Sequence, residues 1–171
     1  MSRLYDLASK KSEPKTPEDY FREHSFKVFL WPDAWRDANT PEALNWNKVD
    51  FGDATIGDVP EQRGVYGFCI CVKNSIMPPH GVLVYFGETS RTLRQRYREY
   101  VRDCKRGAKR PKFENLFSLW PGDLDFYFAP INDQNRDLKE IEEELNDAVI
   151  PLCVTDDFSA EIRRIVPVLR G

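Results

Sequence analysis

The stretch that decides the fold runs from residue 64 to residue 100 and reads GVYGFCICVKNSIMPPHGVLVYFGETSRTLRQRYREY. It holds two apolar runs that are separated by residues 73–81, a segment with two prolines and Gly81. Apolar runs divided in this way are typical of two strands joined by a long loop. The first part of the stretch therefore predicts a β-hairpin.

After Gly87 the apolar residues recur at helical spacing. Thr89 or Ser90 is suited to cap the start of this helix, and Gly107 is placed to end it. The predicted buried face consists of Leu93, Tyr97, Tyr100, Val101 and Cys104. The stretch thus predicts the order strand, strand, helix.

The C-terminal half predicts four further elements. Residues 124–131 alternate and are aromatic, which indicates a third strand. A helix is predicted over residues 138–152, closed by Pro151, and a shorter buried helix over residues 111–120. Residues 158–169 predict a last helix, with a kink or boundary near its proline, Pro167. We expect an α+β fold in which helices flank a small antiparallel three-stranded sheet.

The N-terminal part is less regular. Residues 1–15 are expected to be weakly ordered, and Thr16 followed by Pro17 indicates a helix start. Residues 26–31 are apolar enough for a strand or a buried segment, whereas residues 39–62 favour a loop. The aromatic side chains here either pack on the core, which we favour, or form an exposed binding surface. We predict an N-terminal extension over 1–57, a main domain over 58–155 and a helical tail over 156–171.

Composition limits the classes of function. The chain has 171 residues and is 41% hydrophobic, which is enough for one core. Its net charge of −3 argues against a protein that binds nucleic acid over its whole surface. Residues 91–112, however, carry ten lysines and arginines against two acids, a local charge of +8. This run predicts either a solvated helix face or a local patch for a phosphate backbone, and we favour the second.

The four cysteines are at positions 69, 71, 104 and 153 and do not have the spacing of a zinc site. We interpret them as reduced thiols. No signal peptide and no apolar stretch of about 18 residues is found in the sequence, so we expect no membrane partner and a cytoplasmic location.

Four pieces of the chain resemble the GIY-YIG nuclease superfamily. These are Gly64-Val65-Tyr66, then Tyr85-Phe86-Gly87, then Leu93 with Arg96 on the following helix, and finally Glu142, Leu145 and Pro151. The resemblance covers roughly residues 60–153. Each piece alone is a weak motif, but the four occur in the family's order with suitable elements between them.

The resemblance implies a catalytic site made of Tyr66, Tyr85, Arg96 and Glu142, with Tyr100 in a supporting role. Glu142 would bind one divalent metal ion, Mg²⁺ or Mn²⁺, although a register shift to Glu143 stays open. Arg96 would hold phosphate oxygens. Tyr66 would deprotonate the attacking water if its pKa fell well below the usual value of about 10, and otherwise would only orient the water. Core packing is the alternative role for the tyrosines.

The expected function is metal-dependent hydrolysis of DNA phosphodiester bonds, which by analogy leaves a 5′ phosphate and a 3′ hydroxyl. A homodimer or a larger protein complex is a further possible partner. The alternative is a catalytically weak nucleic-acid-binding or assembly module. The predicted nucleic-acid contacts are Arg91, Arg94, Arg98, Lys105, Arg106, Lys109 and Arg110.

Overall fold

The computed structural model describes residues 15–38, 43–73, 76, 78, 80–107 and 111–170. Residues 1–14, for which weak order was expected, lie outside this part. A short 3₁₀ helix covers Asp53–Asp58. The other elements are α1 (Pro17–His24), α2 (Pro32–Asp37), β1 (Asn47–Asp50), β2 (Gly64–Ile70), β3 (Val82–Thr89), α3 (Leu93–Arg106), α4 (Pro111–Leu119), β4 (Leu124–Pro130), α5 (Leu138–Val149) and α6 (Ala160–Arg170).

The fold is α+β, with helices around an antiparallel sheet of four strands in the order β1-β4-β2-β3. The prediction of three strands was wrong, because β1 lies in the stretch predicted as a loop. This strand has four residues, and only Val49 among them is half-buried. It is a strand because it pairs with β4, from Asn47 opposite Phe128 to Asp50 opposite Asp125. Part of the predicted N-terminal extension is therefore built into the sheet.

The two faces of the sheet differ in what they bury. Side chains alternate between faces along a strand, so Tyr66 and Phe68 of β2 face one side and Val65 the other. The first side is a large core that is rich in aromatic rings and is covered by α3 and α4. The second side is a smaller aliphatic cluster made of Val65, Ala129, Ile131, Leu138 and Ile141. The aromatic core is the environment of the candidate site.

The helix that follows the hairpin ends where it was predicted to end but begins at a different cap. Its cap is Thr92, whose side chain accepts a hydrogen bond from the backbone N–H of Gln95, while Gln95 bonds back to the backbone of Thr92. Neither predicted cap is used, because Thr89 is still part of β3 and Ser90 lies two residues before the cap. The helix stops at Gly107, which has a φ of +84°, a conformation that favours glycine.

Helix α5 runs along the edge strand β3 and covers it. Asp137 caps its start by accepting from the backbone N–H groups of Lys139 and Glu140. The helix ends at Ile150, which has a left-handed conformation (φ 50°, ψ 60°) and donates its N–H to the carbonyl of Asn146. This end precedes Pro151, as predicted.

The ends of the described chain depart from the predictions in two places. Residues 26–31 form no strand, and of them Leu30 and Trp31 are exposed, whereas Phe29 packs against the aromatic core. The four-stranded sheet does not include this segment. Helix α6 continues through Pro167 to Arg170, so the proline for which a kink or a boundary was expected does not end the helix. Within the described residues, no helix is long and apolar enough to cross a membrane.

Candidate active site

Tyr66 lies on β2, on the face that packs against α3. Its side chain is 0% exposed and its ring stacks on Phe126. Gly87 is its partner on β3, and a Cβ atom at this glycine would lie 2.7 Å from both Cζ and Oη of Tyr66. The absence of a side chain at Gly87 therefore leaves the space that the phenol occupies.

The Tyr66 hydroxyl group contacts two side chains of α3. Arg96 donates a hydrogen bond from Nε at 2.9 Å, and the hydroxyl of Tyr100 lies 3.0 Å away. Arg96 and Tyr100 are four residues apart and so project from the same side of the helix. The guanidinium carbon of Arg96 is 4.8 Å from the centre of the Tyr100 ring. The three side chains form one hydrogen-bonded group.

Tyr85 and Glu142 complete the set. Tyr85 of β3 is 5% exposed, is hydrogen bonded to Tyr100, and has its ring centre 6.2 Å from that of Tyr66. Burial is the largest cause that raises the pKa of the Tyr85 phenol, and the charge of Glu142 on α5, whose side chain is 9% exposed, adds to the increase. Four elements, β2, β3, α3 and α5, thus bring the five predicted catalytic residues together.

The surroundings keep the Tyr66 phenol protonated. Burial is the largest cause that raises its pKa well above the usual value, and the neighbouring phenols of Tyr100 and Tyr85 add to the increase. The Arg96 cation acts in the opposite direction but does not reverse it. In this environment Tyr66 is a hydrogen-bonding group and not an ionised base.

A second layer of charge surrounds Arg96. Its Nη1 donates to Glu99 at 3.0 Å, and Arg91 holds the two oxygens of the same carboxylate with Nη1 at 2.7 Å and Nη2 at 3.1 Å. The hydrogen bonds from Arg91 are the largest cause of the lowered pKa of Glu99. We name this group, made of Arg91, Arg96 and Glu99, the arginine cluster.

Arg94, although predicted to contact nucleic acid, holds the chain before β2. Its Nε donates to the carbonyl of Val59 at 2.7 Å, Nη2 donates to the carbonyl of Gly57 at 3.1 Å, and Nη1 pairs with Glu61 at 2.7 Å. All three nitrogens of the guanidinium are engaged inside the protein. We therefore assign Arg94 a structural role and leave it out of the candidate interface.

The other predicted nucleic-acid contacts differ in their surroundings. Arg98 and Arg106 are exposed on α3, whereas Lys105 forms an ion pair with Asp53. Lys109 and Arg110 lie outside the described residues. The basic run therefore does not act as one uniform surface.

Glu142 is the one carboxylate among the predicted catalytic residues. No group of three or more His, Cys, Asp or Glu side chains that could hold a metal ion occurs in the part of the chain that the structure describes. This donor set still fits Mg²⁺, a hard cation that often keeps several waters and binds through one or two carboxylates together with substrate phosphates. A single carboxylate oxygen ligand beside phenol groups is compatible with such a site.

Sequence reasoning missed Glu99 and a second basic area. Glu99 follows Arg96 by three residues, a spacing that signals a pair on a helix, but its contact with Arg91 needs the turn before α3. Arg63, Arg136 and Lys139 line a shallow cleft of about 270 Å³ beside the start of α5, together with the acids Glu88 and Asp137. Arg63 is distant in sequence from the other two basic residues, so no local charge run indicated this group.

Comparison with known proteins gives no relative: no protein-family model, no curated protein and no solved structure matches this chain. The likeness to the GIY-YIG superfamily therefore rests on the motif residues themselves.

Proposed function

We propose that this protein is a metal-dependent endonuclease of the GIY-YIG type that hydrolyses DNA phosphodiester bonds. The observation that carries the proposal is the hydrogen-bonded group of Tyr66, Arg96 and Tyr100, with Tyr85 and the nearly buried Glu142 beside it. Ordinary packing of an aromatic core requires neither an arginine bonded to a phenol nor a carboxylate at its border.

Arg96 is the residue that binds the scissile phosphate. A guanidinium can hold two phosphate oxygens through parallel hydrogen bonds, and this one is fixed by Tyr66 and Glu99. Preorganised cations of this kind stabilise the charge that develops in the transition state. In this proposal Tyr66 orients the attacking water and does not deprotonate it, because its pKa is raised.

Glu142 is the proposed ligand of Mg²⁺ or Mn²⁺. Such an ion, when bound, supplies Lewis-acid stabilisation of charge on phosphate oxygens. The chain contributes the carboxylate and excludes most solvent from it, since Glu142 is 9% exposed. Tyr85 lies next to this carboxylate and supports the phosphate or the water.

The burial of Tyr66 favours a second candidate function. Its side chain is 0% exposed, and the Arg96 guanidinium lies 6.0 Å from the centre of its ring. A water molecule reaches the phenol only if some of the side chains that bury it move. A nucleic-acid-binding or assembly module without cleavage would not need this movement, so we retain it as the alternative.

The test is cleavage of supercoiled plasmid and of branched or single-stranded oligonucleotides with Mg²⁺ or Mn²⁺. We expect the wild type to cleave at least one substrate, and Glu142→Gln and Tyr66→Phe to reduce cleavage to background. Glu143→Gln is the matched control, because it removes the same charge one position further along α5. This control should keep cleavage within about twofold of the wild type if Glu142 is the metal ligand.

Two outcomes would overturn parts of the proposal. If Glu143→Gln abolishes cleavage and Glu142→Gln does not, the register of the metal ligand is shifted by one residue. If the wild type is inert on every substrate and binds DNA equally with and without the Glu142 carboxylate, the protein is the binding module.

A further inference from the structure

The arginine cluster contains a carboxylate in an unusual position. Glu99 accepts from both Nη atoms of Arg91 and from Nη1 of Arg96. Arg91 lies before α3, whereas Arg96 and Glu99 lie one turn apart on the helix. One carboxylate thus brings together an arginine of the turn before α3 and an arginine near the start of the helix.

The contact between Arg91 and Glu99 has the two-bond geometry with which an arginine also binds a phosphate group. A guanidinium fork grips two oxygens of a carboxylate or of a phosphate with the same pair of parallel N–H groups. The cluster carries two positive charges and one negative charge, so one positive charge is left over. An anion that replaced the carboxylate would therefore meet the two cations that share this carboxylate in the free protein.

The cluster is also open to a ligand. The side chain of Arg91 is 57% exposed, and those of Arg96 and Glu99 are 21% and 25% exposed. Arg94, on the same helix, differs because its nitrogens bind two backbone carbonyls and Glu61. A ligand can displace a partly exposed carboxylate, but it cannot displace the backbone carbonyls that hold Arg94.

We propose that Arg91 and Arg96 form a binding site for one phosphate group of a nucleic-acid backbone, which Glu99 occupies in the free protein by placing its carboxylate where phosphate oxygens bind. The identity of the ligand rests on the proposed function. Glu99 has two effects: it prearranges the two arginines beside Tyr66, and it competes with the incoming phosphate.

A binding experiment without cleavage tests this site. The probe is a fluorescein-labelled 20-base-pair DNA duplex, titrated with the full-length protein in EDTA at several NaCl concentrations. We expect Glu99→Gln to bind about fivefold more tightly at low salt, since an exposed ion pair that opposes binding is removed. Its salt dependence should steepen by about one unit of slope, because one more phosphate contact becomes available.

Asp103→Asn is the matched control. Asp103 is also on α3, and Nε of Arg102 lies 3.9 Å from its carboxylate, which is no fork contact. This change removes the same charge and should alter affinity by less than about twofold. In an Arg91→Gln background, Glu99→Gln should improve binding by about twofold or less, because half of the site is gone. Thermal midpoints of all variants report whether each one folds.

Equal gains for Glu99→Gln and Asp103→Asn would overturn the inference, since net charge alone would then explain them. The inference would also be overturned by an undiminished gain in the Arg91→Gln background. The result is separate from that of the proposed function: cleavage by the wild type with no gain for Glu99→Gln leaves the enzyme without this site. A clear gain in a protein that never cleaves DNA leaves the site without the enzyme.

Discussion

The arginine cluster and a lysine cluster at the far end of the sheet use ionic contacts in opposite ways. In the lysine cluster, Asp125 is 1% exposed and pairs with Nζ of Lys48 at 2.8 Å and Nζ of Lys73 at 3.0 Å. Lys73 also pairs with Asp50 at 2.9 Å, so the charges cancel. The arginine cluster has its carboxylate partly exposed and keeps a positive charge.

The difference separates ionic contacts that stabilise the fold from those that are suited to a ligand. Asp125 joins β1, β4 and the segment that follows β2, and its cluster has no charge left for a ligand. The arginine cluster links only the turn before α3 to the first two turns of that helix. It lies, however, next to the phenol of Tyr66. Changes in the lysine cluster should affect stability, and changes in the arginine cluster should affect DNA binding and the cleavage rate.

The largest expected effect is on the cleavage rate. Arg96→Ala should lower the rate at saturating DNA by about 10²–10³-fold, which is typical of the loss of one preorganised charge-stabilising group. Lys48→Ala removes a cation from the lysine cluster and should leave the rate within about twofold. Single-turnover cleavage of one DNA substrate by both variants measures this contrast, and equal losses would show that the two clusters do not differ in this way.

Gly87→Ala should break the arginine cluster's contact with Tyr66 without a change in charge. The new Cβ would lie 2.7 Å from the Tyr66 hydroxyl oxygen, so the phenol must shift within a packed core. We expect the free energy of unfolding to fall by about 1–3 kcal/mol, the usual cost of overpacking, and cleavage to be lost. Gly57→Ala is the control, because no atom lies within 4 Å of its added Cβ. Urea unfolding that gives the same midpoint for both variants would contradict the prediction.

Asp125→Asn should affect stability and not function. The amide has no negative charge to pair with the two lysines, so the free energy of unfolding should fall by about 1–3 kcal/mol. Glu99→Gln should cost less than about 1 kcal/mol, because Arg91 is exposed and Glu99 and Arg96 are partly exposed to solvent. Urea denaturation at pH 7 gives both values, and the reverse order would refute the assignment of the two roles.

The smallest expected effect is the pH dependence of the difference in unfolding free energy between wild type and Asp125→Asn. Burial tends to raise the pKa of Asp125, but hydrogen bonds from Lys48 and Lys73 outweigh it and the pKa is lowered. The stability that the carboxylate contributes is therefore full at neutral pH and is lost as the pH falls below the unfolded pKa of about 4 towards the folded value. The gap in unfolding free energy between wild type and Asp125→Asn should narrow between pH 7 and pH 3.5, and a constant gap would contradict the assignment.

The hairpin and the helix after it were predictable because their signals are local. Alternating or continuous apolar runs identified β2, β3 and β4, and helical spacing identified α3 and α5. Strand β1 was missed because its residues are mostly polar and its partner strand follows more than seventy residues later. No local pattern carries that pairing.

The candidate site was predictable to the same extent. Tyr66, Arg96 and Tyr100 were identified by motif and spacing, and the structure places them in contact. The functions of Arg94 and Glu99 were not predictable. Both belong to a basic helix, and only the folded chain shows that one is bound by backbone carbonyls and the other by an arginine fork.

The order of the strands also constrains how the chain folds. Strand β4 lies between β1 and β2, although it is the last of the four in sequence. During synthesis, β1 has no partner in the sheet until residue 130 has left the ribosome, whereas β2 and β3 can already pair as a hairpin. Pairing of distant segments slows folding. We therefore expect docking of β4 to complete the sheet and to bring the lysine cluster together at the same step.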